Sequence, residues 1–510
     1  MLAEPALQDN NQPASSSRGS VKDYVHRHLY YDEGSSRKKH LDKLFTKMIA
    51  VDMEPLRMGE REGLREFVAA LDNKYVLPDT ATLTNKLLPQ MYSELKVEVM
   101  KAVRESETLS ITADMWTSTA NEGILAITGH FIAKDKLVSP LLSVIKVEGS
   151  HSAENLAQVI DDSLSSWGCR DKVISMVTDN LSTMLNCADL LHIKHIPCLA
   201  HTLNLTVTDS FKVKGLAEFL SKCKKIVTFF RHSTLASEKL KQIQRENGNL
   251  ELKLLQQVDT RWNSVYYMLE RLRIIRQDLT LAISQCERAP ENLTAEDYKI
   301  IDGLITIYQP FEVATSMVSG ESYSSLCIIL PVLKGLALKL VDLASTDLQD
   351  LPNAVLNCIT ESVNKRLKPY EKRSYCILAS LLNPNYSQIS SRQEKEAVKE
   401  SKVRDLLSFL EDPLPTSNPT SDAIIDVRQY VEKPNIGHSE NAVDYWKKST
   451  SKLKYLAYKY LAIPATSCPA ERIFSAAGQV LTERRNRLKS KHLQEILFIK
   501  QNFKMFNDKV

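Results

Sequence analysis

Between Ser110 and Val147 three β-prone runs follow one another with no helix between them, and this feature limits the fold most. Ser110–Trp116, Gly123–Ile132 and Val138–Val147 are rich in Ile, Val, Leu and Thr and are joined by short polar turns. The chain then alternates. Ala153–Trp167 reads as an amphipathic helix, with Leu156, Val159, Ile160, Leu164 and Trp167 on one side. A buried-type strand, Val173–Val177, leads into Thr178–Asp179–Asn180, followed by a short helix over Met184–Leu191 and a strand at His195–Leu199. Strands first, then helix and strand in alternation, specify an α/β sheet, in an order that many α/β folds share.

On both sides of this segment the apolar spacing is helical. Leu41, Leu44, Phe45 and Met48 fall at i, i+3, i+4 and i+7, which predicts a helix from Lys38. Further helices are expected over Gly63–Leu71 and Thr80–Arg104, with Pro78 between them and Pro89 bending the second. From about Ala217 to Leu410 the pattern is almost entirely helical. The Pro-, Ser- and Thr-rich stretch Glu411–Asp422 reads as an exposed loop, and helices follow near Val443–Lys448, over Leu453–Leu461 and from Cys468 onward.

A chain of 510 residues is too long for one core. Its formal charge of +4 permits local basic patches for nucleic acid without demanding them. No apolar run approaches the roughly 20 residues that cross a bilayer, and the amino terminus carries no secretory pattern. The nine cysteines include no CxxC pair, which fits free thiols in a reducing, intracellular compartment.

Asp114 and Asp179 each stand at the end of an expected strand. Carboxylates at the ends of adjacent strands converge, and a third from a helix would complete an all-oxygen site for Mg²⁺ or Mn²⁺. Two such ions, roughly 3.5–4 Å apart, activate a water or a 3′-hydroxyl in phosphodiester displacement. Equally, an Asp after a strand commonly does no more than cap a turn. The surrounding sequence separates the two readings.

Five blocks occur in order: ITADMWTS (Ile111–Ser118), VTDN (Val177–Asn180), IPCLAHTLNL (Ile196–Leu205), DTRWNS (Asp259–Ser264) and IPATSCPAERIFSAAGQVLTERRNRL (Ile463–Leu488). They resemble the signature blocks of hAT superfamily DNA transposases and of the zinc finger BED domain-containing proteins derived from them, over about Leu41 to Asn502. The resemblance implies an α/β RNase H-like core interrupted by a large all-α insertion domain, with helical N-terminal and C-terminal dimerisation regions. The expected division is a disordered leader (1–37), a helical N-terminal region (38–105), the first part of the core (106–215), the insertion (216–430) and a dimerisation region that completes the core (431–510).

By the same resemblance Asp114, Asp179 and Glu471 form a DDE triad holding Mg²⁺ or Mn²⁺. Glu471 suits its place: Ser467 can cap a helix whose first turn tolerates Pro469, while Ile473, Phe474, Ala477 and Val480 bury one face. Ala470 stands where the family usually has Ser. Cys198-x-x-His201 resembles the family's motif beside the active site; His201 is read as a DNA contact or positioning group, or as a satisfied core histidine. Arg261 and Trp262 resemble a pair that supports an unpaired base, the indole stacking and the guanidinium holding phosphate; a Trp packed in a helical core is the competing reading. Arg484, Arg485 and Arg487 are candidate phosphate contacts or a solvated helix face. Leu493, Ile496 and Leu497 give the last helix an apolar side that serves either a dimer or the chain's own core.

No cysteine precedes Cys169, so the Cys₂His₂-type BED finger of full transposases is expected to be absent. Two functions follow. One is two-metal DNA cleavage and strand transfer by a nuclear transposase that forms a homodimer or higher oligomer through its C-terminal region. The alternative is a domesticated, catalytically inactive DNA-binding and dimerisation protein acting in transcriptional regulation.

Overall fold

The computed structural model describes residues 29–118, 121–258, 262–320, 323–387, 419–437, 440–480 and 489–506. They divide between two compact units, one drawn from Met1–Val97 with Lys491–Asn507 and one from Glu98–Ser490. The expected leader lies, up to residue 28, outside the described residues.

In the first unit the Ser36–Val51 helix opens on Ser35, whose hydroxyl accepts the Lys38 N–H at 3.2 Å. Its buried face, Phe45 and Ile49, packs with Tyr75, Leu77 and Leu83. The long helix expected over Thr80–Arg104 is not uniform. A wide π turn over Leu83–Leu87, in which Leu88 N–H reaches back to the Leu83 carbonyl, precedes a regular helix over Leu88–Glu105. Pro89 lacks an N–H and crowds the carbonyl four residues back, so the ladder yields at this point. On the last helix, Ser490–Phe506, Leu493, Ile496 and Leu497 are buried within the chain, and Phe498 meets Tyr92 edge-on at 4.8 Å.

The second unit is built on a mixed sheet. The strands are β1 (Leu109–Thr117), β2 (Gly123–Ala133), β3 (Lys136–Val138), β4 (Leu141–Lys146), β5 (Val173–Thr178) and β6 (Lys194–Pro197). The order is β3-β2-β1-β5-β6, with β4 also on the outer edge of β2. β1 is antiparallel to β2 and parallel to β5, and β5 is parallel to β6. The run Val138–Val147, expected as one strand, is two: Ser139–Pro140 interrupts it, and the Pro140 carbonyl accepts the Gly129 N–H at 2.9 Å. Proline has no donor for the ladder, so pairing with β2 must restart beyond it. Lys172 anchors the entry to β1, its ammonium donating to the carbonyls of Val103, Arg104 and Ser106 at 3.2, 2.6 and 2.7 Å. A cation on the last carbonyls of a helix also complements the helix dipole.

After β6 the chain is helical. Helices over Leu199–Asp209, Leu216–His232, Thr234–Glu246, Asn263–Ile274, Arg276–Ser284, Ala295–Val318, Ile329–Ala344, Asp350–Arg366 and Ser374–Leu382 share one core that includes Phe230, Met268, Tyr308, Phe311 and Ile359. This is the large all-α insertion. Of the loop expected over Glu411–Asp422, the part to residue 418 lies outside the described residues, and a helix, Pro419–Glu432, takes the rest. Proline suits the first turn of a helix, where its missing N–H has no partner to lose. Helices over Ala442–Lys448, Leu453–Leu461 and Cys468–Val480 return the chain to the sheet.

Candidate functional site

Strand register brings the two aspartates together. Thr112 on β1 is paired in parallel with Val177 on β5. Two residues further along each strand stand Asp114 and Asp179, side by side at the carboxyl end of the sheet. Asp114 is still within β1, opposite Ala126 of β2, and its Oδ1 accepts the N–H of Met115 at 2.9 Å. Asp179 lies just beyond β5, where its Oδ1 accepts the N–H of Leu181 at 3.3 Å. Thr178 steadies this bend: its hydroxyl donates to the Asp179 carbonyl at 2.8 Å and accepts from His195 Nε2 at 2.9 Å. Burial, helped by the nearby Arg373 charge, lowers the His195 imidazole to about 4 and keeps it neutral.

Glu471 arrives from the other end of the sequence. The carbonyl of Ser467 accepts the N–H groups of Ala470 and Glu471, opening the Cys468–Val480 helix with Glu471 in its first turn. Trp116 lies two residues beyond Asp114 on the same strand face, and Phe474 one helical turn beyond Glu471. The two rings meet with centroids 4.1 Å apart, which aims Glu471 toward Asp114. The electrostatics agree with this placement. Burial first, then the field of Glu471 and more weakly that of Asp179, pushes the Asp114 carboxyl up to about 7, against the bond from Met115.

Carboxylate oxygens are the donors that Mg²⁺ and Mn²⁺ prefer, and crowded negative charge is what a cation relieves. Among the described residues, however, no three His, Cys, Asp or Glu side chains stand close enough to share one ion. The set fits a divalent cation in its chemistry and is not closed around one in its geometry.

Cys198 holds the junction. Its buried sulfur accepts the N–H of His201 and the N–H of Ser467, each at 3.4 Å, while Leu199 N–H donates to the Ala465 carbonyl at 2.9 Å. The thiol thus caps the Leu199–Asp209 helix and ties it to the irregular segment that leads into the Glu471 helix. Burial pushes it up to about 12, so it stays protonated. The spacing Cys-x-x-His here is that of a helix cap and the third residue it receives.

A cleft of about 850 Å³ opens beside Glu471, with His201, Asn204, Trp262, Tyr267 and Ser319 among its walls. His201 is half-buried and faces it. Trp262 is only 2% exposed and lies 6.1 Å from the Tyr308 ring; its backbone N–H donates to Asn204 Oδ1 at 3.3 Å, while its indole Nε1 has no partner among the described residues. Arg472 donates to the Ser319 carbonyl at 2.6 Å, bridging the helix of Glu471 to the insertion. Arg261, Arg484, Arg485 and Arg487 lie outside the described residues. Sequence reasoning missed Asn204, Arg472 and His195. For Asn204 a signal existed, since it stands three residues after His201 on the same helix face; the partners of the other two depend on tertiary contacts.

Three family models match this chain. The ZBED1 RNase-like domain covers residues 112–201, the ZBED1 RNase-like helical domain 196–307, and the hAT family C-terminal dimerisation region 426–503. Zinc finger BED domain-containing protein 4 of Homo sapiens is 23% identical over 98% of this chain and 46% of its own length. The "Putative AC transposase" of Zea mays is 24% identical over 92% of this chain and 65% of its own length. The "Putative transcriptional regulator tpeD" of Talaromyces stipitatus is 24% identical over 48% of this chain and 33% of its own length. The chain spans about half the length of the human relative. RNase-like segment, helical segment and dimerisation region follow in the order of the sheet, the insertion and the returning helices, and this chain is a relative of the hAT superfamily transposases and of the zinc finger BED domain-containing proteins.

Proposed function

We propose that the chain serves in the nucleus as a transposase-derived DNA-binding and dimerising protein, acting in transcriptional regulation. The observation that carries this reading is the contrast at the sheet end. The cleft and the Cys198 junction are well formed and the C-terminal region matches a dimerisation model, whereas among the described residues the three carboxylates share a field without closing into one ligand set. Zinc finger BED proteins and a named transcriptional regulator among the relatives support it. His201 would meet DNA at the cleft, whose wall the buried Trp262 supports, and Arg261, Arg484, Arg485 and Arg487 would hold phosphates.

A second reading, DNA cleavage and strand transfer, has one observation of its own: Asp114 feels both Glu471 and Asp179. On that reading the three carboxylates would hold Mg²⁺ or Mn²⁺, which supplies Lewis acidity at the phosphodiester. The chain's own part would be to bring Glu471 onto the strand ends beside Asp114, crowding negative charge that a bound cation would relieve.

The test uses purified protein with duplex, pre-nicked and hairpin DNA, with Mg²⁺, with Mn²⁺ and with chelator. Dimers by light scattering, and duplex affinity equal within about two-fold with and without metal, are expected, with no cut product. Metal-dependent nicking that disappears in Glu471→Gln and Asp179→Ala would overturn the binding-protein reading in favour of catalysis.

A further inference from the structure

The β2–β3 hairpin turns on Lys134 and Asp135, both with left-handed backbone at φ 49° and 58°. Two-residue hairpin turns of this hand match the sheet twist but favour Asn, Asp or Gly, so a lysine here is unusual. The hairpin tip is docked onto the returning helices: the Tyr458 hydroxyl donates to Asp135 Oδ1 at 2.6 Å, and Lys454 Nζ lies 3.6 Å from the same oxygen. Lys454 also donates to the Lys447 carbonyl at 3.2 Å, which draws the Ala442–Lys448 helix to the same place. Lys134, Lys136, Lys447, Lys448 and Lys452 are exposed around this dock. With Lys454 they make six lysines against Asp135, Asp426, Glu440 and Asp444. Tyr458, Lys454 and the Lys447 charge hold the Asp135 carboxyl below its ordinary range, and Ser451 donates to Asp426 at 3.0 Å.

We infer that this lysine face, built from the β2–β3 turn and residues 447–454, is a phosphate-binding surface for double-stranded DNA. The inference rests on the DNA-binding reading above but places part of that binding away from the cleft. Although the face lies partly within the segment that matches the dimerisation model, a second copy is a poor occupant. Interface cores are depleted in lysine, and two copies meeting here would oppose like charges. Long ammonium stems at the rim of a rigid dock suit a phosphate backbone, where each neutralised phosphate releases counterions.

The test is duplex binding by fluorescence anisotropy, with a mixed-sequence 40-mer of about three helical turns, between 50 and 200 mM salt, the range over which phosphate contacts separate. Lys134→Ala/Lys136→Ala and Lys447→Ala/Lys452→Ala are compared with Lys339→Ala/Lys365→Ala, exposed lysines on the helical insertion. Each of the first two pairs is expected to weaken binding about 10-fold and to flatten the log–log salt slope by about 1.8, which is two phosphate contacts; the third pair leaves both unchanged. Unchanged affinity and slope in the first two pairs, while the native protein binds, would overturn this surface alone. Conversion of those variants to monomers with intact DNA affinity would assign the face to a second copy and overturn it too. Failure of the native protein to bind the duplex removes the DNA-binding reading itself, and this surface with it.

Discussion

Asp209, at the end of the Leu199–Asp209 helix, is met by Arg366 at 2.8 Å, Ser362 at 2.9 Å and Lys212 at 3.0 Å. Asp114, at the end of the sheet in the same unit, lies in the field of two more carboxylates. Arg366, with Lys212 and Ser362 behind it, holds the Asp209 carboxyl well below the usual range, whereas burial and Glu471 push Asp114 up to about 7. Asp209 is an anchor between the first helix of the insertion and the Asp350–Arg366 helix, and its charge stabilises the fold. The charge of Asp114 opposes the fold. Carboxylates assembled at a stability cost are a feature of functional sites, which makes the sheet end, and not the Asp209 cluster, the candidate.

Breaking the anchor should have the largest effect. Arg366→Ala leaves a half-buried carboxylate short of its main partner and is expected to cost roughly 2 kcal/mol at pH 7, read by urea denaturation. Because the Asp209 carboxyl is depressed, its contribution is present above about pH 4 and is lost as pH falls through its lower folded value; the difference between native protein and variant should therefore shrink in acid. An unchanged midpoint at neutral pH would remove the anchor role.

The sign reverses at the sheet end. With Asp114 raised, stability falls as pH climbs from about 4 to about 7. Asp114→Asn should therefore stabilise the protein at pH 8, by on the order of 1–2 kcal/mol after allowing for solvent at this half-buried group, and do little below pH 4. A variant less stable than the native protein at pH 8 would contradict the unfavourable field. Smaller shifts grade the two neighbours. Glu471→Gln should lower the Asp114 pKa, followed by carboxyl NMR, by up to roughly one unit, and Asp179→Asn by less, following their order of influence. The reverse order would mean that Asp179 stands nearer to Asp114 than Glu471 does.

Much of this arrangement was legible in the residues. The β-prone run over Ser110–Trp116 and the buried-type run Val173–Val177 located β1 and β5, and two aspartates at strand ends pointed to one edge of the sheet. Periodicity could not show that Ser139–Pro140 splits a strand, since the flanking residues remain β-prone and only the missing donor betrays the break. Pro89 was visible as a disruption, but the π turn that answers it depends on the packing of Leu83. Glu471 came from the resemblance, because nothing local in Cys468–Val480 says that Phe474 will find Trp116. Nor could the sequence decide the place of Trp262, whose burial depends on Tyr308, or give Cys198 the partner it finds in Ser467.

That last contact bears on how such a chain can change over evolutionary time. Cys198 and Ser467 are joined through sulfur although 269 residues separate them, so the helical insertion is a loop whose ends are clasped at one point. Closure entropy grows only with the logarithm of length, about 0.6 kcal/mol for each doubling. A change in the insertion's length thus alters the closure term little, provided its own helical core stays packed and the clasp, with the path that delivers Glu471 to the strand ends, is kept. The insertion can therefore diversify in length and surface as a packed module, so long as its core and its ties to the sheet end, the clasp among them, persist.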